Sequence, residues 1–245
     1  MVNDLEKVAE SGDKESVQLL FSLFFNLISS RHNLVTDKIP SFSPFRRLYK
    51  IGMKHKFLLA AGYLKELHYF TMIIACLKDG DTEDARYYLK TWKNYLLEDI
   101  REEMAQLMEA IICFWEKKYK EVLNLTRNLR MAHPFNECQL RIYNFKAIFE
   151  IHYDPENGSE WKNEREYMCN LCKTLEAFAR SQQNLSEVTR ERFINTANTF
   201  RKLIRAHKRK QLHALRDYVE GEVLMDEKEW IIEKIHIRLN EAFEE

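Results

Sequence analysis

At 245 residues the chain is long enough to bury a sizeable core, as one extended domain or two compact ones. Its 45% hydrophobic and 31% charged residues exclude intrinsic disorder, and 38 basic against 38 acidic residues exclude a global field drawing the molecule to nucleic acid or an anionic membrane. Only 6 glycines and 4 prolines occur, too few for the tight turns of a β-rich or α/β protein of this size, so long helices are expected.

The opening MVNDLEKVAESG is acidic and polar, the wrong charge for a secretory leader. A helix is expected over 14–29, around the most apolar run, 17–28 (VQLLFSLFFNLI), which has roughly half the length a membrane span requires. A loop over 32–44 holds two of the four prolines. Helices follow at 45–56 and 58–77, the second stopped by Lys78, Asp79, Gly80 and Asp81. The next, 82–97, opens on Thr82, Glu83 and Asp84, an N-cap with an acidic first turn that suits the helix dipole. Helices at 101–115 and 119–131 flank a turn at 116–118, and Pro134 closes that pair. Another helix spans 137–152, then DPENG at 154–158 marks a loop before a helix over 161–180. Ser186 caps a long helix in which Phe193, Ile194, Ala197, Phe200, Leu203 and Ile204 form one buried stripe. Helices over 212–220 and 227–243 end the chain, and with no sustained strand alternation no sheet is expected.

The spacing contains a repeat. Ala85 in ARYYL and Val122 in EVLNL stand slightly more than the ~34-residue tetratricopeptide period apart, each after a longer helix and a short polar turn. Over 103–136, Ala110 and Val122 occupy the small-residue positions of two helices, Tyr119 the aromatic opening the second, and Pro134 the closing proline. Small residues admit close helix approach, aromatics wedge the next repeat, and proline ends the pair. Thr126 and Leu129 depart from the usual aromatic and alanine, so the match is degenerate.

On these residues the chain resembles a family of bacterial tetratricopeptide-like helical-repeat proteins of unassigned activity, usually longer than this one. The resemblance is carried by Phe42, Ser43, Pro44 and Phe45, by EMAQLMEAIICFWEKKYKEVLNL at 103–125, by LEAFARSQQNLSEVTRERFINTANTFRKLIR at 175–205, and by KEWIIEKI at 228–235. It covers the chain from about residue 15 onward, in helix-packing patterns that identify architecture rather than chemistry. It implies a helical-repeat binding scaffold, a longer parent of which this chain is the C-terminal part, and no catalytic residue to carry over.

Several constellations invite a sharper reading. Cys169 and Cys172 have the CxxC spacing of zinc and redox sites, but no second CxxC or HxxxH lies nearby and the pair sits within a helical pattern. Packed helix cysteines account for it better. The strongest local signal is 201–216 (RKLIRAHKRKQLHALR), seven basic residues and two histidines with no acidic one. On a helix Leu203, Ile204, Leu212 and Leu215 face inwards while Arg201, Arg205, Lys208, Arg209 and Arg216 point out, a face able to grip phosphates or an acidic partner. The alternatives are a solvated face, or one paired with Glu220, Glu222, Asp226, Glu227, Glu229 and Glu233. The run 17–28 is expected to be buried in the fold, or else to form a homodimer or a membrane-surface contact. Tyr63, Phe70, Trp92, Trp115, Tyr119 and Tyr143 fall at packing intervals and read as core wedges.

The expected fold is therefore all-α: a right-handed α-solenoid of antiparallel, tetratricopeptide-like helix pairs with long capping helices at the C-terminus. One domain is expected over 1–245, with N-terminal helices at 1–56, repeat pairs at 57–180 and caps at 181–245. No glycine-rich phosphate loop, HExxH or nucleophile elbow occurs, so no enzyme activity, cofactor or metal is expected. The expected function is non-catalytic recognition of a protein or peptide in a groove lined by exposed residues of 101–115 and 137–152. The alternative is a nucleic-acid-binding module using 201–216. Five cysteines without a disulfide pattern, and no membrane span, point to the cytoplasm.

Overall fold

Among the described residues the chain is all-helical apart from one short hairpin, and side-chain caps at Asp81, His133 and Ser186 open three of the helices. The computed structural model describes residues 19, 21, 23, 42–153, 158–221 and 223–241. The chain divides into two compact units, Met1–Lys117 and Lys118–Glu245. The division falls inside the 103–136 segment expected to form one repeat.

In the first unit α1 (Ser43–Lys54) begins with Pro44 in its first turn, where the missing N–H costs nothing. The expected single helix over 58–77 is replaced by a hairpin, β1 (Leu59–Ala60) and β2 (Tyr63–Leu64), followed by α2 (Glu66–Lys78). Leu59 pairs with Leu64 and Ala60 with Tyr63. Ala61 and Gly62 between them have φ of 51° and 89°, the left-handed pair that a two-residue hairpin turn requires. Helical propensity at LLAAGYL is thus overruled by the turn, and a small sheet exists where none was expected. Tyr63, taken as a core wedge, is 47% exposed on it.

The stop at 79–81 is as expected: Gly80 takes φ 77° and Asp81 N–H donates to the Cys76 carbonyl at 2.9 Å. The cap of α3 (Thr82–Trp92) is Asp81 rather than Thr82, its carboxylate accepting from Asp84 N–H at 2.9 Å. A 3-10 turn at Lys93–Tyr95 then separates α3 from α4 (Glu98–Trp115), so the expected helix to 97 ends early. The helices α1 and α2, α2 and α3, and α3 and α4 pack against one another, with α4 also on α2. Met72, Ile73, Met104, Leu107 and Ile111 lie in this core without solvent exposure.

Polar ties set the helix registers. The Arg46 guanidinium lies 2.5 Å from both Asp81 and Asp84 and 3.3 Å from Asp79, fixing α1 to the α2–α3 turn. Arg86 reaches Glu109 and Glu116, each at 2.8 Å, and does the same for α3 and α4. Gly52 permits a close approach, since a Cβ there would meet the Phe21 ring at 2.6 Å and Leu58 at 2.8 Å. Of the apolar run 17–28 only three residues are described: Phe21 is buried, while Leu19 and Leu23 are exposed. The rest of that run, and the homodimer contact expected of it, lie outside the described residues.

The second unit holds α5 (Tyr119–Thr126), α6 (Pro134–His152), α7 (Gly158–Ser181), α8 (Glu187–Arg205), α9 (Arg209–Glu220) and α10 (Lys228–Glu241). Pro134 opens α6 instead of closing the pair before it, because a proline at the first helical position costs no hydrogen bond. Ser186 caps α8 as expected, accepting from Thr189 N–H at 3.2 Å. Each of α5 to α9 packs on its successor, and α10 also meets α8.

The central element is α6, which carries no exposed residue. The expected groove therefore cannot be lined by exposed side chains of 137–152. Its core partner is an aromatic box: Phe145 stacks on Phe200 of α8 at 4.2 Å with the rings 9° apart, and Trp230 of α10 stands edge-on to Phe145, Phe149 and Phe200. No helix among the described residues is long and apolar enough to cross a membrane.

Candidate functional site

The basic run is not one helix. α8 ends at Arg205, and the Arg238 guanidinium from α10 donates to the Leu203 and Ala206 carbonyls left open there. α9 starts at Arg209 after its Gln211 side chain has accepted the N–H groups of His207 and Lys208, at 2.9 and 3.1 Å. Leu203, Ile204, Leu212 and Leu215 are buried, as expected.

The five residues singled out divide into two groups. Arg201 is 2.9 Å from Glu176, and Arg216 is 3.2 Å from Asp217 and 3.8 Å from Glu220, so both are neutralised locally. Arg205, Lys208 and Arg209 remain exposed at the α8–α9 corner, joined by Lys210. Of the acidic C-terminal segment, Glu220 meets Arg216 of the run, while three residues are engaged elsewhere: Asp226 with Arg192, Glu227 with Lys146, and Glu233 with Lys234. Glu222 lies outside the described residues. His207 sits at the same corner; partial burial lowers its pKa, and the charges of Arg165 and Arg238 lower it further.

A second polar constellation is buried, and no sequence signal short of long-range contact prediction marked it. Asp226 accepts from Gln139 Nε2 at 2.9 Å and from Arg192, while its own N–H donates to Thr196 Oγ1 at 2.8 Å. Burial pushes its carboxyl upward, and Arg192 and Gln139 pull it back. Next to it Lys146, only 2% exposed, donates to Glu227 at 2.6 Å and lies 4.4 Å over the Tyr143 ring. Lys234 and Trp230 Nε1 both meet Glu150, each at 2.7 Å. With both Asp226 oxygens engaged by donors of its own fold, this network ties the 223–227 segment to α6 and α8.

The third feature lies in the first unit. Between α1 and α3 runs an open groove of about 460 Å³ lined by Lys50, Met53, Lys54, Asp84, Tyr87, Tyr88 and Trp92. Tyr87 is 58% exposed and meets Tyr88 edge-on at 5.2 Å; Tyr88 in turn packs 4.6 Å from Trp92. Lys50 lies 3.3 Å from Asp84 and 5.9 Å over the Tyr88 ring. Asp84 is already held by Arg46, so the groove offers an aromatic floor with a basic wall along α1. Trp92 was legible as a wedge; the exposure of its neighbour Tyr87 was not, since helix phase alone does not say which face a neighbouring element leaves open. Trp115, also taken as a wedge, is 39% exposed.

Cys169 and Cys172 lie one turn apart within α7. Cys172 is buried, and desolvation pushes its thiol well above the ordinary range, which suppresses the thiolate that metal binding or exchange needs. Among the described residues no group of three or more His, Cys, Asp or Glu is placed to hold a metal ion. No family model, curated protein or solved structure matches the chain.

The carboxylate ties carry a pH dependence with a defined sign. Asp81 is held below the usual carboxylate range by the Asp84 N–H and by Arg46, and Glu176 by Arg180 and then Arg201. A pKa depressed on folding stabilises above the unfolded value of about 4 and the contribution is lost as pH falls through the folded value. The urea midpoint of the wild type is therefore expected to fall between pH 5 and pH 3. Asp81→Asn, which keeps the cap, is expected to show a shallower fall over the same window.

Proposed function

We propose that the protein is a non-catalytic helical-repeat scaffold that binds a protein or peptide, and that its recognition surface is the α1–α3 groove. The observation that carries this reading is the exposed Tyr87 beside Tyr88 and Trp92, faced by Lys50 and Lys54 in an open cleft. Aromatic side chains supply contact area at small entropic cost, and lysines at the wall add charge complementarity to acidic positions of a bound segment. Sequential packing of α1 on α2, α2 on α3 and α3 on α4 fits the finer architecture we propose, a right-handed tetratricopeptide-like solenoid in which such grooves recur. Five free cysteines, four of them buried, favour a reducing compartment, and we place the protein in the cytoplasm.

Selection of a random 12-residue peptide library on the intact protein tests the reading. Enriched peptides are expected to pair an acidic residue with a large apolar one and to bind Tyr87→Ala at least tenfold more weakly. Enriched peptides whose affinity is unchanged by both Tyr87→Ala and Lys50→Ala would remove the groove from the account.

A further inference from the structure

The α8–α9 corner is independent of the groove and carries a different chemistry. Arg205, Lys208 and Lys210 are exposed and face no carboxylate among the described residues. What sets the corner apart is that these exposed cations, with Arg209, lie within six positions of the chain. Two acidic residues further along the chain are drawn inward: Asp226 and Glu227 are taken by Arg192 and Lys146. Arg201 and Arg216, at the two ends of the run, are neutralised by Glu176, Asp217 and Glu220, which leaves the charge concentrated at the corner.

The corner is also held in place. Arg238 of α10 bonds the last carbonyls of α8, and Gln211 bonds the first N–H groups before α9, so the chain between the two helices is fixed from both sides. We propose that Arg205, Lys208, Arg209 and Lys210 form a docking surface for the phosphodiester backbone of nucleic acid, bound without regard to base sequence.

The choice of partner class follows from what the corner lacks. No exposed large hydrophobic residue lies between 201 and 216, so a peptide would find no apolar anchor there. The run has no exposed aromatic ring either, and Tyr218 beyond it is covered by the Lys202 ammonium at 3.7 Å. Base stacking is therefore not on offer, and a duplex is expected to bind about as well as a single strand. What the corner does offer is a set of Arg and Lys donors, which a regular lattice of phosphates satisfies.

The test is fluorescence anisotropy of the full chain with a labelled 20-base-pair DNA duplex and the matching single strand. With about four phosphates neutralised, affinity for the duplex is expected to fall on the order of 100-fold between 50 and 200 mM salt. Arg205→Glu/Lys208→Glu/Lys210→Glu is expected to weaken binding more than tenfold at 50 mM salt and to flatten the salt slope. Its neutral counterpart with glutamine at the three positions should fall between that variant and wild type. Charge reversal of exposed Lys120, Arg127 and Lys173 in the same unit should change little. Absence of duplex binding at 50 mM salt, or equal loss in the two charge-reversed triples, would overturn the proposal. Competition by a 20-residue polyglutamate as strong as by the duplex would overturn it too, and would reassign the corner to an acidic protein partner. None of these outcomes touches the α1–α3 groove, so the two readings fail separately.

Discussion

Glu227→Ala is expected to cost the second unit about 3–5 kcal/mol, and Lys146→Met distinctly less, because breaking a buried ion pair from one side strands the other charge. Lys146 is 2% exposed in the middle of α6, with its ammonium 2.6 Å from Glu227 and flanked by the Tyr143 and Trp230 rings. Removing Glu227 leaves a desolvated ammonium without its carboxylate, and the ring contacts recover only ~1–2 kcal/mol of that loss. Removing the ammonium instead leaves Glu227, whose side chain is 20% exposed and can be hydrated, next to a methionine that fills the lysine stem's space. Urea unfolding of both variants measures the order. If Lys146→Met proved the more damaging, the lysine charge would be contributing net stability, and the network would be more than a tie for the 223–227 segment.

Phe200→Ala is expected to be of similar size, about 3–5 kcal/mol, through the cavity it opens in the aromatic box. Phe200 is fully buried, stacked on Phe145 at 4.2 Å and met edge-on by Trp230 at 5.6 Å. Three helices, α6, α8 and α10, converge on it, so few small shifts can close the gap. For a unit of this size the loss corresponds to a fall in Tm on the order of 10–20 °C. Tyr167→Ala on α7, where the ring is 50% exposed, is the matching control and should stay within about 0.5 kcal/mol. A small effect at Phe200 would mean that the second unit's stability resides elsewhere than in this box.

The helices were largely legible because their signals are local. The Ser186 cap, the Gly80 stop and the stripe from Phe193 to Ile204 can be read from neighbours within one or two turns, and they held except at Ile194, which is only half-buried. The failures came where two local signals competed. At 59–64 a good helix-forming run lost to the Ala61–Gly62 turn, and at Pro134 a proline that ends one helix pattern was the better start of the next. Side chains of 201–216 suit one helical face, but the face is split between two helices: α8 ends before Ala206, whose carbonyl is held by Arg238 from more than thirty residues away.

The site was less legible than the fold, for the same reason. A basic run shows where charge is present but not whether it is spent, and Arg201 and Arg216 are spent on Glu176, Asp217 and Glu220. Nothing in the order of residues announced that Lys146 would meet Glu227 or that Gln139 would meet Asp226, since these partners lie on elements brought together only by the packing of α6. The groove was missed outright: α1 and α3 are separated in sequence by a hairpin and a helix, and their shared cleft belongs to neither pattern alone.

Hydrogen exchange of the intact protein, with and without a library-selected peptide, is the most direct measure of whether α1 and α3 form the recognition surface. Added protection is expected at 50–54 and 84–92, on the two walls of the groove, with 205–210 unchanged. Protection confined to other helices, with both groove walls exchanging as in the free protein, would contradict the account.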